Sequence, residues 1–337
     1  MPKMMRQFCI SAIYLICFFW AGNAFAQLKD DVQEKTMRDL AKLQKAPPAF
    51  KIYATAGTFV GYDTNVKLAT DRKGDIFEEA LFSFSIQKPF NDGLKLAFDY
   101  DLDVLNYNEV TDASSILNHF RLGPSKRFAK YFTLGFGYDL GIFYYPKNDD
   151  ATFFLHRGFL YLTQDINKKT YHRVQFYYGD KYYTDGKAMG DTIGSYQDKE
   201  RQDKRLEAEY KISSALTKKL RLTGRTSFLI NNSNARYLDF YDYKSYGQSL
   251  GVDYQLLKQL KVFMSFSYTR KLYNTRTVTN GDYKEVDGLY VGNAGLTQKL
   301  NKNNLVTLLY TYRQNASNDT FERYSESVVN CGWQYIF

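Results

Sequence analysis

From Lys51 to the C-terminus the chain alternates: one residue in two is apolar or aromatic, and the residue between is polar, charged or small. In EALFSFSIQ, residues 79–87, Phe82, Phe84 and Ile86 take one parity while Ser83, Ser85 and Gln87 take the other. LKLAFDYDLDVL, 94–105, sets Leu94, Leu96, Phe98, Tyr100, Leu102 and Val104 against Lys95, Asp99, Asp101 and Asp103. FTLGFGYDLGIFYY, 132–145, repeats the pattern, as do VQFYYG, LEAEYKI, LRLTGRTSFLI, SLGVDYQL, VFMSFSY and VTLLYTYR. Successive side chains of a strand point to opposite faces of its sheet, so each such strand has one oily face and one wet face. Period-two counting gives about 14 strands. They are placed at 51–65, 76–89, 93–107, 114–127, 131–146, 152–166, 170–184, 203–216, 219–233, 244–257, 260–273, 286–300, 303–317 and 323–337. The phase of 152–166 and of 286–300 is ambiguous, because apolar residues occupy both parities there.

Composition sharpens the constraint. Mean hydropathy is −0.47, the value of a water-soluble protein. Yet aromatic residues make up 17% of the chain, with 30 Tyr and 26 Phe against 6 Pro. An all-β transmembrane antiparallel up-and-down barrel reconciles the two, since half of each strand faces lipid, half faces a wet lumen, and Tyr and Trp ring both interfaces. Closure is obligatory, because hydrocarbon cannot satisfy the backbone donors of an open sheet edge. The competing fold is a soluble antiparallel barrel or sandwich; the consistently polar second face of these strands weighs against it.

The connections alternate as well. NDG (91–93), NKK (167–169), TKK (217–219), KQ (258–259) and KNN (302–304) are tight. TNVKLATDRKGD, TDGKAMGDTIGSYQDKERQ, NSNARYLDFYDY and NTRTVTNGDYKEV are long and polar. Outer-membrane barrels have short periplasmic turns and long outer loops, and an N-terminus inside makes the odd-numbered connections the long ones. The order observed has that parity.

Residues 1–26 place Lys3 and Arg6 before an apolar run from Phe8 to Trp20 and close on Ala24-Phe25-Ala26. That is the layout of a secretory signal peptide cleaved near Ala26. Cys9 and Cys17 leave with it, so the mature chain keeps Cys331 and forms no internal disulfide. In residues 27–50, Val32, Met37, Leu40 and Leu43 recur at helical spacing before Pro47 and Pro48, predicting a short N-terminal helix in the periplasm or in the barrel mouth, or else a mobile leader. The barrel proper spans 51–337. The net charge of +9 is scattered over turns and alternating positions, which argues against nucleic acid as a partner.

The signal peptide, the alternating hairpins and the terminal Trp333-x-Tyr335-x-Phe337 resemble those of Gram-negative outer-membrane β-barrels. The resemblance implies an outer-membrane location, outer-membrane lipid as surroundings, and Trp333, Tyr335 and Phe337 as the signal read by the barrel assembly machinery. GYDTNVKL, 61–68, is similar to the Tyr-Asp-x-Asn-Val of porins encoded in exopolysaccharide operons, and to the barrel of surface lipoprotein assembly modifiers. Those modifiers carry a tetratricopeptide domain ahead of the barrel, where this chain has residues 27–50. The first likeness implies passage or export of a polar solute or polysaccharide with periplasmic export components as partners. The second implies an assembly role. Asp63 and Asn65 also have a local reading, as turn formers that cap a strand end.

With the apolar faces in lipid, the other faces line the lumen. Asp99, Asp101 and Asp103 then stack in one row, and hairpin register brings His119 and Arg121, which share that phase, near Asp99 and Asp101. Arg205, Glu207, Glu209 and Lys211 share an inward face opposite Arg221, Thr223 and Arg225, and Arg173, Asp139, Asp253 and Arg313 join them. Two readings compete: acidic and basic walls that orient solutes across a pore, or neighbouring charges that pair laterally and brace the wall. No GxSxG, P-loop, metal cluster or paired-carboxylate motif stands out, and His119, His156 and His172 are spread along the chain. The sequence therefore predicts no catalytic residues, no metal and no cofactor. Its function classes are a channel, a structural or assembly barrel with 185–202 and 232–243 as docking loops, and, least supported, a lipid enzyme.

Overall fold

A computed structural model describes residues 50–70, 72–90, 93–192 and 195–337. The signal peptide and the 27–49 leader lie outside the described residues. The strands are β1 (Lys51–Asp63), β2 (Asp75–Pro89), β3 (Leu94–Tyr107), β4 (Ser115–Phe128), β5 (Phe132–Tyr144), β6 (Phe153–Asp165) and β7 (Thr170–Met189). The second half is β8 (Tyr196–Ala215), β9 (Leu220–Ser233), β10 (Tyr243–Gln255), β11 (Leu260–Thr277), β12 (Lys284–Lys299), β13 (Asn304–Asn315) and β14 (Tyr324–Ile336). Each pairs antiparallel with its sequence neighbours, and β14 closes on β1 to complete a 14-strand barrel.

The closing seam shows how the alternation becomes a wall. Thr58 stands opposite Trp333 on the outside, and Phe59 opposite Gly332 on the inside. The backbone N–H of Phe337 donates to the Ala54 carbonyl at 3.0 Å, so the chain is pinned to its last residue. Trp333, Tyr335 and Phe337 form a connected outer row, with ring centroids 6.2 and 4.9 Å apart, and the Trp333 indole N–H donates to Asn304 Oδ1 at 2.9 Å. The outer face as a whole is apolar and exposed, as Val60, Leu96, Phe136, Leu160, Phe176, Leu250, Phe266 and Leu308 illustrate. On β1 to β13 the odd-numbered residues point inward wherever the register is regular; on β14 the even-numbered ones do.

One rim carries the connections 90–93, 129–131, 166–169, 216–219, 256–259 and 300–303; the other carries 64–74, 108–114, 145–152, 190–195, 234–242, 278–283 and 316–323. The first β-hairpins end near the positions the alternation predicts, but β7 runs on to Met189, β8 begins at Tyr196 and β11 extends to Thr277. The register slips between Tyr182 and Lys187, between Lys187 and Met189, and between Leu272 and Thr277. These irregularities break the period of two: Ala188 and Met189 are both buried although adjacent in sequence, and the Arg236 N–H donates to the Met189 carbonyl at 3.0 Å.

The two ambiguous phases also resolve. On β6 the inward residues include Phe153, Leu155, Phe159 and Tyr161; on β12 they include Leu289 and Val291. Inward apolar residues at the long-loop end are seats for infolded loops. Leu68 packs on Leu289, Val291 and Tyr324; Tyr145 and Ala151 pack on Phe153, Leu155 and Tyr183; Val66, Val110 and Ala113 pack on Phe77, Tyr107 and Val328.

Candidate functional site

The lumen wall is the candidate site. Asp99, Asp101 and Asp103 (β3), His119 and Arg121 (β4), Arg173 (β7), Arg205, Glu207 and Glu209 (β8), and Arg221 and Arg225 (β9) all stand on its inner face. Asp99 lies opposite Arg121 and Asp101 opposite His119. The hydrogen bonds run further round the ring than one hairpin. Asp139 on β5, 1% exposed, takes His119 Nε2 at 3.0 Å and Arg157 Nη2 and Nε at 2.7 and 3.0 Å. His119 Nδ1 is 3.7 Å from Asp101, and Arg157 Nη1 is 3.7 Å from Glu207. The chain Asp101–His119–Asp139–Arg157–Glu207 thus spans β3 to β8. Asp99 accepts from the Ser85 hydroxyl at 2.5 Å, Arg225 meets Glu209 at 3.4 Å, Lys261 meets Asp253 at 2.5 Å, and Arg221 donates to Ser213 Oγ at 3.1 Å.

Aromatic rings fix the arginines. Arg121 lies over Phe159 at 4.0 Å, Arg157 over Tyr177 at 4.6 Å and Arg173 over Tyr161 at 4.8 Å. Such stacking is attractive through the ring quadrupole and lets the guanidinium edge hydrogen-bond as well, as Arg173 Nε does to Thr163 Oγ1 at 3.0 Å. The rings themselves lie flat because the facing strand offers glycine. A Cβ on Gly137 would run into Phe159, and one on Gly135 into Tyr161. The same joint recurs where Phe59 covers Gly332 and Phe263 covers Gly295. Inward aromatics therefore line the wall instead of filling the lumen.

Two faces of opposite sign result. Arg173, Lys211 and Arg225 stand directly side by side on β7, β8 and β9. The acidic row on β3 is four to six strands away round a ring of fourteen, toward the opposite wall.

The long-loop end is packed. Arg201 pairs with Asp203 at 2.6 and 2.9 Å and stacks on Tyr241 at 3.4 Å. Arg276 holds Glu285 at 2.7 Å and Glu322 at 2.6 Å and stacks on Phe240 at 4.5 Å. Arg313 pairs with Glu326, and Lys181 and Lys271 donate to Tyr183 and Tyr273. Asn65 is fully buried: its side chain binds the Ala69 and Ser325 carbonyls at 2.9 and 3.0 Å, and its own N–H donates to Asp63 at 2.8 Å. Asp63 in turn accepts from Tyr107 at 3.0 Å. The GYDTNVKL segment is thus the clamp that turns loop 64–74 inward. In the loops, burial pushes the Glu322 carboxyl up against the pull of Arg276. Asp242 is pushed up to about 6 by burial and, secondarily, by Asp239 and Asp203, against the Ser233 N–H and Arg201.

Sequence reasoning missed Arg157 because its strand had no clear phase, and missed Arg201, Arg276, Glu285 and Glu322 because they were assigned to loops or not singled out. The glycines facing Phe159 and Tyr161 were the available signal. Of the three histidines, only His119 faces the lumen. His156 bonds the Tyr138 hydroxyl on the outer face, and His172 lies 2.6 Å from Gln164 Oε1 near the short turns. Among the described residues no cluster of His, Cys, Asp or Glu has the grouping of a metal site.

No protein-family model matches the chain, and no curated protein matches it by sequence. Its fold is that of solved outer-membrane channels. The outer membrane channel DcaP of Acinetobacter baumannii is similar at TM-score 0.52 and 7% identity, covering 86% of this chain and 97% of that one. The anion-selective porin from Comamonas acidovorans is similar at TM-score 0.51 and 9% identity, covering 86% and 99%.

Proposed function

We propose that the protein is an outer-membrane channel for small polar or charged solutes, secreted with its signal peptide removed near Ala26. The observation that carries this reading is the lumen wall, with an acidic row on β3 and a cationic row on β7 to β9, of which Arg173 lies over Tyr161. A transverse field of this kind orients a dipolar solute during passage, and charged rings select among ions. A ring of 14 strands with ordinary spacing and tilt is about 28 Å across its backbone, between filled eight-stranded barrels and open porins. The shared fold with channels supports the same reading, and the outward Trp333, Tyr335 and Phe337 suit delivery by the barrel assembly machinery. Polysaccharide passage belongs to the same reading as a finer specificity.

The dense ion network at the long-loop end favours a second reading, a structural or assembly barrel with little conductance. Planar-bilayer recording separates them. Discrete openings are expected, with the reversal potential in a salt gradient moving toward anions in Asp99→Asn/Asp101→Asn/Asp103→Asn. The complementary Arg173→Gln/Lys211→Gln/Arg225→Gln variant moves it toward cations. A silent protein that is folded and inserted rejects the channel reading, and openings whose selectivity ignores both triple variants reject the charged walls as the basis of its selectivity.

A further inference from the structure

The charges of residues 27–49 are sorted by position. Residues 27–34 hold Asp30, Asp31 and Glu34 against Lys29, whereas residues 35–49 hold Lys35, Arg38, Lys42 and Lys45 against Asp39. The helical spacing of Val32, Met37, Leu40 and Leu43 makes this leader a short rod, with an acidic tip and a basic base. The barrel fixes where the rod joins the wall. β1 begins at Lys51 on the short-turn rim, opposite Gln87, and the Lys88 ammonium lies 5.0 Å from the centre of the Phe50 ring. The inner-wall charges are sorted about that point. Tyr53, Ser85 and Asp99 form one cross-strand row over β1, β2 and β3, so the acidic row begins about 10 Å from Tyr53, two strand spacings away. Arg173, Lys211 and Arg225 form one cross-strand row over β7, β8 and β9. β8 is seven strands from β1 in both directions round the ring, so Lys211 stands on the opposite wall from the point of attachment.

Reach and sign agree. As a helix, residues 30–45 are about 24 Å long, and the five residues from Ala46 to Phe50 add up to about 16 Å when extended. That is enough to cross a lumen about 28 Å wide at the backbone. It also reaches the cationic row, which lies three to five residues from the short-turn ends of its strands. A leader entering from β1 brings its basic base past the acidic row on β3 and its acidic tip to the cationic row beyond. Opposite charges meet at both ends, and their attraction is stronger inside the wall than in bulk water. A rod about 10–12 Å wide narrows the lumen without filling it.

We propose that the two charged faces of the lumen are the docking surface for the chain's own leader. Residues 27–49 enter through the short-turn mouth and cross the lumen. Lys35, Arg38, Lys42 and Lys45 lie toward Asp99, Asp101 and Asp103, and Asp30, Asp31 and Glu34 lie on Arg173, Lys211 and Arg225. The inference rests on removal of the signal peptide near Ala26, as proposed above, and is independent of conduction.

The test is disulfide trapping in the full-length protein carrying Cys331→Ser, which removes the one cysteine of the mature chain. Gln33 lies among the leader's acids and Gln44 among its bases; Ser227 is two residues from Arg225 and Ala97 two residues from Asp99, both on inner faces. Gln33→Cys/Ser227→Cys and Gln44→Cys/Ala97→Cys are expected to form an internal disulfide on mild oxidation, seen as a gel shift reversed by reductant. The swapped pairs, Gln33→Cys/Ala97→Cys and Gln44→Cys/Ser227→Cys, are expected not to. Adding Asp30→Lys/Asp31→Lys/Glu34→Lys, which leaves the barrel sequence untouched, is expected to abolish the Gln33–Ser227 bridge. Heat-modifiable gel mobility identifies folded protein in every sample. A matched pair that stays reduced in folded protein, swapped pairs that oxidise as well as matched ones, or a bridge indifferent to the leader's charge reversal overturns the proposal. Trapping needs no current, so a silent bilayer recording with both matched bridges intact rejects only the channel. Open channels without the bridges reject only the leader's crossing.

Discussion

Asp139 is the hub of the lumen network, and replacing it by Asn tests whether that network braces the wall. The substitution keeps volume and removes one charge. It leaves Arg157, bonded to Asp139 at 2.7 and 3.0 Å, with Glu207 at 3.7 Å as its remaining counter-charge, and it weakens the 3.0 Å contact from His119. Removing one partner of a buried pair costs about 3–5 kcal/mol, because the other charge stays desolvated. Partial rescue by Glu207 and by the Tyr177 ring under Arg157, 4.6 Å away, puts the expectation at the lower end, about 3 kcal/mol. Replacing both partners removes the orphaned charge, so Asp139→Asn/Arg157→Met falls short of the sum of the single effects by about 2 kcal/mol. The assay is urea unfolding of the barrel in lipid vesicles, followed by Trp333 fluorescence and gel mobility. A single-variant cost below about 0.5 kcal/mol, or additive single effects, refutes the argument that the chain from Asp101 to Glu207 carries structural load.

Two further expectations concern the loops. Asn65→Ala removes the side-chain bonds to the Ala69 and Ser325 carbonyls and is expected to cost about 2–3 kcal/mol of loop docking; faster hydrogen exchange in 64–74 and larger conductance would register it, and unchanged exchange would dismiss the clamp. Asp242, held at about 6 by burial against an ordinary value of 3.8, has the raised-acid sign. Its protonated form favours the docked loop, so that contribution is full below about pH 4 and fades as pH rises through about 6, to the extent of about 1 kcal/mol after allowance for solvent screening. Exchange in 234–242 should therefore be slower, relative to the intrinsic rate, at pH 5 than at pH 7, and Asp242→Asn should flatten the difference.

The wall itself was legible because each strand is a local object. Phe82, Phe84 and Ile86 need only their own alternation to be assigned to lipid, and Asp99 and Asp101 need only the pairing of consecutive strands β3 and β4 to meet Arg121 and His119. Legibility failed where a second layer covered the first. Leu155 and Leu289 look misplaced on an inner face until Tyr145 and Leu68 are seen to rest on them. The extended β7–β8 hairpin was hidden for a related reason: past the register slips after Tyr182 the pairing is irregular, and adjacent residues such as Ala188 and Met189 are both covered.

Sequence alone determined the number of strands, the alternation of tight and long connections, and which parity of each clear strand meets lipid, since all three follow from a two-residue period set by backbone geometry. Tertiary structure decided which charges touch. Asp139 reaches His119 on one side and Arg157 on the other, and Arg201 and Arg276 meet rings from loop 234–242, through contacts whose partners lie many residues away and whose pairing depends on the stagger of a closed ring. No local pattern encodes that stagger; it appears only when β14 finds β1.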